Sequence, residues 1–217
     1  MHPLLPALQK GLDELGLVLT LDQQNQLLTY MDLIAKWTKV YNLTAVRDAD
    51  EMLTHHLLDS LAVIAPLRRE LTKLGLPEGG GYKLLDVGSG AGLPGIVIAI
   101  TCPEVSVTCV DTVAKKAAFI QQVAATLKLS NLKGLHARVE SLTEPFDVVC
   151  SRAFASLIDF TTWSQSALAD HGVWMAMKGK HPDQELAVLP ENVKVFHVEQ
   201  LQVPGLDAER CIIWMRG

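Results

Sequence analysis

Leu84-Leu85-Asp86-Val87-Gly88-Ser89-Gly90-Ala91-Gly92-Leu93-Pro94-Gly95 is the segment on which the fold turns. A short apolar run ends near a carboxylate and passes into a loop with glycines at 88, 90, 92 and 95. A second apolar run, Ile96 to Ile100, follows at once. Strand, glycine loop and helix in that order open a doubly wound α/β unit that binds a nucleotide-like cofactor. Gly90-x-Gly92-x-x-Gly95 satisfies the dinucleotide fingerprint literally, so the glycines alone leave the ligand open.

Asp86 separates the candidates. A pyrophosphate at this loop would meet a fixed negative charge at short range. S-adenosylmethionine carries no phosphate, and its ammonium group is one that a carboxylate neutralises. About 25 residues further on, the run Val105–Val110 ends in Asp111, where an acid can accept both ribose hydroxyls. Two acids flanking a glycine turn fit adenosylmethionine better than a nicotinamide dinucleotide. A nicotinamide-dependent oxidoreductase is the rival that Asp86 disfavours, and a cofactor-binding RNA or ribosome factor without catalysis stays open.

Outward from this loop, the chain alternates. Strands are predicted at Lys83–Val87, Val105–Val110, Leu132–His136, Phe146–Cys150, Gly172–Met177, Val193–Val198 and Cys211–Met215, with a helix over Val113–Leu129. No helix-length separator divides the last two strands, so they are expected to pair as an antiparallel hairpin. The fold class is therefore α/β, a Rossmann-like, seven-stranded and mostly parallel sheet with helices on both faces. Before residue 81 the pattern is helical, with one stripe at Leu27, Tyr30, Met31, Ile34 and Trp37 and another at Leu53, Leu57, Leu61 and Ile64. Pro66 and the glycine-rich stretch 75–81 punctuate the chain before the first strand. We read residues 1–80 as an N-terminal helical extension and 81–217 as the cofactor-binding domain.

The 217 residues are 49% hydrophobic, which supports a packed core, and the net charge of −5 does not suit a protein that is basic overall for nucleic acid. Any RNA contact must come from a local patch. Lys36, Lys39 and Arg47, with Trp37 and Tyr41 between them and no acid from 33 to 47, are the best candidate, although Trp37 continues the core stripe. Cys102, Cys109, Cys150 and Cys211 lack ligand spacing and read as core thiols. No apolar run approaches the roughly 20 residues of a membrane span, and a cytoplasmic location is expected.

Ligands of open α/β sheets bind beyond the carboxyl ends of the strands. Asp86, Asp111 and Ser151-Arg152 fall at such ends and are expected to share one crevice. Arg152 suits a cofactor carboxylate or an RNA phosphate, with an ion pair to a nearby acid as the alternative. Lys178-Gly179-Lys180 adds positive charge at the same rim. Glu140 follows the third strand and is either an adenine contact or a surface acid. His55, His56 and Asp59 have a spacing that metal ligands use, but His56 lies on the leucine face and no further ligand is near, so no metal is expected. No nucleophile–histidine–acid set appears.

With these motifs in hand, the sequence resembles the ribosomal RNA small subunit methyltransferase G family, also called glucose-inhibited division protein B. The likeness runs from Trp37…Tyr41-Asn42-Leu43-Thr44, through His56…Leu58-Asp59-Ser60, to Lys178-Gly179. Asp86 to Gly95 and Ser151-Arg152-Ala153-Phe154-Ala155-Ser156-Leu157 carry most of it. The resemblance implies methyl transfer from S-adenosyl-L-methionine to N7 of one guanine, guanine 527, in 16S rRNA of the small ribosomal subunit. It also implies that Gly88 and Leu93 line the cofactor, that Val139-Glu140 hold the adenosine end, and that Arg152 completes a site containing Asp86, Gly90 and Asp111. The resemblance leads one to expect arginine where Lys116 stands, a difference that keeps the charge. No catalytic residue is assigned, because guanine N7 has an in-plane lone pair and needs no base. Asn42 and Asp59 are candidates for the base pocket, and nothing demands more than a monomer.

Overall fold

The computed structural model describes residues 2–75 and 81–217. Residues 76–80, most of the glycine-rich stretch and the place of the expected domain boundary, lie outside the described residues.

The N-terminal part comprises α1 (Leu5–Glu14), α2 (Leu21–Tyr41), α3 (Ala49–Met52), a π-helical stretch (Leu53–Leu58), α4 (Asp59–Leu61) and α5 (Ile64–Leu74). Helix α2 starts where a capping box satisfies its first amides. The Thr20 hydroxyl accepts from the Gln23 N–H, and the Gln23 side chain accepts from the Thr20 N–H at 3.0 Å. It ends at Asn42, whose left-handed conformation (φ 51°) stops the helix. The apolar stripe then dictates docking, because Leu27, Tyr30, Met31 and Ile34 are buried. Three polar side chains of the same helix reach across to the α/β part. The Tyr30 hydroxyl donates to the Ala91 carbonyl in the glycine loop at 2.7 Å. Gln23 and Gln26 donate to the carbonyls of Ile100 and Leu127, which a helix end leaves unpaired.

All seven predicted strands form, β1 (Tyr82–Val87), β2 (Val105–Asp111), β3 (Leu132–His136), β4 (Phe146–Arg152), β5 (Leu168–Lys178), β6 (Lys194–Leu201) and β7 (Arg210–Arg216). They make one sheet in the order β3-β2-β1-β4-β5-β7-β6. The five strands from β3 to β5 are parallel, and β7 runs antiparallel to both β5 and β6, so the expected hairpin closes the edge. Helices α6 (Gly95–Thr101), α7 (Ala114–Leu127), α8 (Leu157–Ser164) and α9 (Asp183–Leu186) complete the chain. The N-terminal helices, α6 and α7 share one hydrophobic cluster with one face of the sheet, while Leu157 and Phe160 of α8 pack against the other. The order of strands reverses between β1 and β4. A crevice opens there, beyond the carboxyl ends of both strands.

Close approach explains one glycine of the loop. A Cβ on Gly95 would lie 2.4 Å from the Cys109 Sγ and 2.8 Å from the Asp86 Oδ2, both buried. Gly95→Ala is therefore expected to lower stability by about 1–3 kcal/mol, the range for overpacking a closed core. Thermal unfolding measures it, and a melting temperature equal to wild type would show that the junction has slack.

Candidate active site

A cavity of about 610 Å3 lies at the switch point, within the range of small-molecule sites. Of the residues singled out from sequence, Gly88, Asp111, Val139, Glu140 and Arg152 line it. They come from the ends of β1, β2 and β4 and from the short 3-10 turn Val139–Ser141 after β3. Asp111 is nearly buried. Its Oδ2 accepts from the Gly90 N–H at 3.0 Å and its Oδ1 from the Val113 N–H at 2.9 Å. Lys116 Nζ stands 3.6 Å from the same carboxylate. One side chain thus fixes both the glycine loop and the start of α7, and each oxygen keeps a lone pair for a hydroxyl donor.

Asp86, Gly90 and Leu93 do not line the cavity. Asp86 is fully buried and turns inward, where its Oδ2 accepts from the Gly95 N–H at 2.8 Å. Its Oδ1 has no partner among the described residues. The carboxylate fills the amide end of α6 that a pyrophosphate would need, so the acid excludes phosphate by occupying the site as well as by charge. Leu93 is buried in the core cluster behind the loop, and Gly90 meets Asp111 through its backbone.

Burial pushes the Asp86 carboxyl up to about 7, against the pull of the Gly95 amide and the Arg152 charge. In the unfolded chain it ionises near the usual value of about 4. The native state therefore holds more protons between about pH 4 and pH 7, and the protein loses stability as pH rises across that window. Asparagine cannot ionise, so the melting temperature of Asp86→Asn relative to wild type is expected to climb from about pH 5 to about pH 8. A difference that stays flat with pH would show that Asp86 carries no shifted proton.

Arg152 joins a second constellation that no local pattern announces. Its Nη1 donates to the Asp59 Oδ2 at 3.0 Å and to the His55 carbonyl at 3.0 Å. Arg210 donates through Nε to the Asp59 Oδ1 at 2.9 Å. The ion pair weighed as the alternative for Arg152 is present, and Arg152 still borders the cavity. The π-helical stretch supplies the His55 carbonyl and the buried His56, and Asp59 follows it directly at the start of α4; π turns occur frequently at functional sites. The His56 Nε2 sits 2.7 Å from the Thr44 hydroxyl, and its Nδ1 has no partner among the described residues. Burial and the Arg152 charge lower its pKa, which keeps the ring neutral. Asn42 caps α2 and accepts from Arg47, and it lines neither this cavity nor the one beside it.

Sequence reasoning missed Trp163, Arg138 and Arg210. Trp163 lines the cavity and packs edge-on against Phe154, with ring centroids 5.6 Å apart. It stands three residues after the buried Phe160, so its spacing reads as core although the side chain is 43% exposed. Arg210 opens the last strand with no neighbouring motif. In the basic segment, Trp37 packs at 5.2 Å on Phe119 of α7 and at 5.1 Å on Tyr41, while Lys36 and Lys39 face solvent. All four cysteines are buried and unpaired. Among the described residues no cluster of three or more metal-ligating side chains exists, and no helix is long and apolar enough to cross a membrane.

The architecture, with its cavity at the switch point, is the Rossmann-like fold of the S-adenosylmethionine-dependent methyltransferases. Solved structures agree on the fold: TrmN from Thermus thermophilus superposes with a TM-score of 0.54 at 16% identity, over 76% of this chain and 53% of that one. A SAM-dependent methyltransferase from Aquifex aeolicus gives 0.52 at 17% identity, over 72% of this chain and 92% of its own. Within the class, the chain belongs to the GidB family, rRNA small subunit methyltransferase G, whose family model matches residues 23–213. Relatives named ribosomal RNA small subunit methyltransferase G include one from Polaromonas sp. (strain JS666 / ATCC BAA-500), 73% identical over 96% of this chain and 92% of its own length. Another, from Albidiferax ferrireducens, is 66% identical over 100% of this chain and 98% of its own.

Proposed function

We propose that the protein transfers a methyl group from S-adenosyl-L-methionine to N7 of a single guanine, guanine 527, in 16S rRNA of the small ribosomal subunit. The observation that carries this reading is the cavity at the switch point, rimmed by Asp111, in a member of a family of rRNA methyltransferases. In it, Asp111 accepts the ribose hydroxyls, and Gly88 lets the backbone approach the methionine end. Val139 and Glu140 hold the adenine, and Arg152 takes the cofactor carboxylate. Asp86, Gly90 and Leu93 serve the same site from beneath, by fixing the loop. Phe154 and Trp163 form an aromatic wall suited to a planar ring.

The bound cofactor supplies a methyl group on a sulfonium, which is electrophilic. Guanine N7 already carries an in-plane lone pair, so accepting that methyl group would require no side chain to act as a base. The protein's part is therefore alignment, exclusion of water and charge placement rather than acid–base work. Lys36, Lys39 and Tyr41, with Lys115 lying 5.7 Å over the Tyr41 ring, form the RNA-facing patch on an otherwise acidic chain. The same reading has a monomer acting in the cytoplasm.

Incubation with tritiated S-adenosylmethionine and small subunits that lack the modification tests the reading, with the label mapped by mass spectrometry. One N7-methylguanine in 16S rRNA is expected. Measured cofactor binding without transfer to any rRNA would return the protein to the binding-factor alternative.

A further inference from the structure

A second cavity, of about 330 Å3, adjoins the first. The two share Arg152 and Ala153 as a common wall. The second is lined also by His56 of the π-helical stretch, Asp59 at the start of α4, Lys178 at the end of β5 and Arg210 at the start of β7. We propose that it is the seat of a backbone phosphate of the RNA strand that carries the acceptor guanine, a proposal that rests on the rRNA reading above.

The geometry is that of a preset pair of guanidiniums. Asp59, only 2% exposed, spends one oxygen on Arg152 and the other on Arg210. Arg152 uses Nη1 twice, and Arg210 uses Nε and, toward the Glu209 carbonyl, Nη1. The Nη2 groups of both have no protein partner among the described residues. Two forks held at fixed angles by one buried carboxylate, with donors left over, match a tetrahedral anion that accepts from several directions. Lys178 borders the same space and is itself held by both oxygens of Glu185 at 2.9 Å. Arg152, Lys178 and Arg210 face Asp59, and Glu185 pairs with Lys178, so one positive charge is left over at this spot in a chain whose net charge is −5.

Charge also decides between phosphate and base. The guanine ring becomes cationic as N7 gains its methyl group, and a pocket of guanidiniums would oppose that change. An arginine on the Hoogsteen edge would also cover the N7 that must face the methyl donor. A phosphate keeps its negative charge throughout, so the cations hold the strand without resisting the chemistry. Ala153, on the shared wall, has φ 60°, a left-handed conformation that costs a side-chain-bearing residue free energy and clusters at functional sites. It turns the chain between the two cavities and sets them side by side.

Arg210 borders the second cavity and not the first, so it separates the roles. Full-length Arg210→Ala is assayed with unmodified small subunits across a salt series, and cofactor affinity is read by calorimetry. The expected result is a KM for subunits raised about tenfold, the loss of one charged hydrogen bond. The slope of log KM against log salt should fall by about one, with the cofactor Kd unchanged. Arg210→Gln keeps the aliphatic stem and a donor near the Nε that bonds Asp59, so a similar rise in KM in that variant excludes misfolding as the cause. Unchanged KM and slope in both variants, with wild type active, would overturn the proposal and leave the function intact. A fall in kcat at constant KM would overturn it in favour of a base-binding role. Wild type that methylates no rRNA overturns both.

Discussion

Asp111→Ala is expected to weaken cofactor binding by about 1.5–3 kcal/mol, roughly ten- to 150-fold in Kd. The side chain works twice. It offers acceptors to the ribose hydroxyls, and it already holds the amides of Gly90 and Val113, so its removal also loosens the glycine loop and the start of α7. Asp111→Asn retains an acceptor and should fall between the two. Calorimetric titration with S-adenosylmethionine measures the change, and unchanged affinity in the alanine variant would remove Asp111 from the site. Asp86, at first sight the equivalent acid, should behave differently. Its carboxylate is sealed under the loop on the Gly95 amide, so its loss acts through loop geometry and stability.

Asp59→Ala carries the largest expected cost in stability, about 3 kcal/mol, at the low end of the range for stripping one partner from a buried ionic network. Asp59 is buried, but the side chains of Arg152 and Arg210 are 22% and 25% exposed, so water relieves part of the loss. For a chain of this size that corresponds to a melting temperature lower by about 6–12 °C. The same change frees Arg152 and Arg210 from their fixed angles, so transfer should fall further than stability alone explains. A melting temperature within about 2 °C of wild type would show that the network contributes little to the fold.

The basic segment 36–47 shows how a local pattern can be half right. Its charge and aromatics suggest a stacking surface, and its spacing suggests a core face. The core face is what the structure shows for Trp37, and the lysines lie outside it. Trp37 turns onto Phe119 because the helical stripe demands it, while Lys36 and Lys39 lie on the outer side of α2. The histidine pair divides in the same way. His56 is buried on the leucine face as its position predicts, yet it also borders the second cavity, because a π turn shifts the register of side chains in a way that no 3.6-residue count contains.

The strands, the glycine loop, the antiparallel hairpin and the acid at the end of β2 were all legible in the sequence. Each is set by local chemistry: apolar runs of strand length, glycines where the backbone turns, and charged residues where a strand leaves the core. Direction and distance were not legible. Whether Asp86 faces the ligand or the helix behind it depends on Gly95, which lacks the Cβ that would stand in the way. Asp59, Arg152 and Arg210 lie far apart along the chain, and no spacing rule links them. Packing α2 and the π-helical stretch against the sheet brings them together, and the cost of burying an unpaired charge then holds the carboxylate between its two arginines.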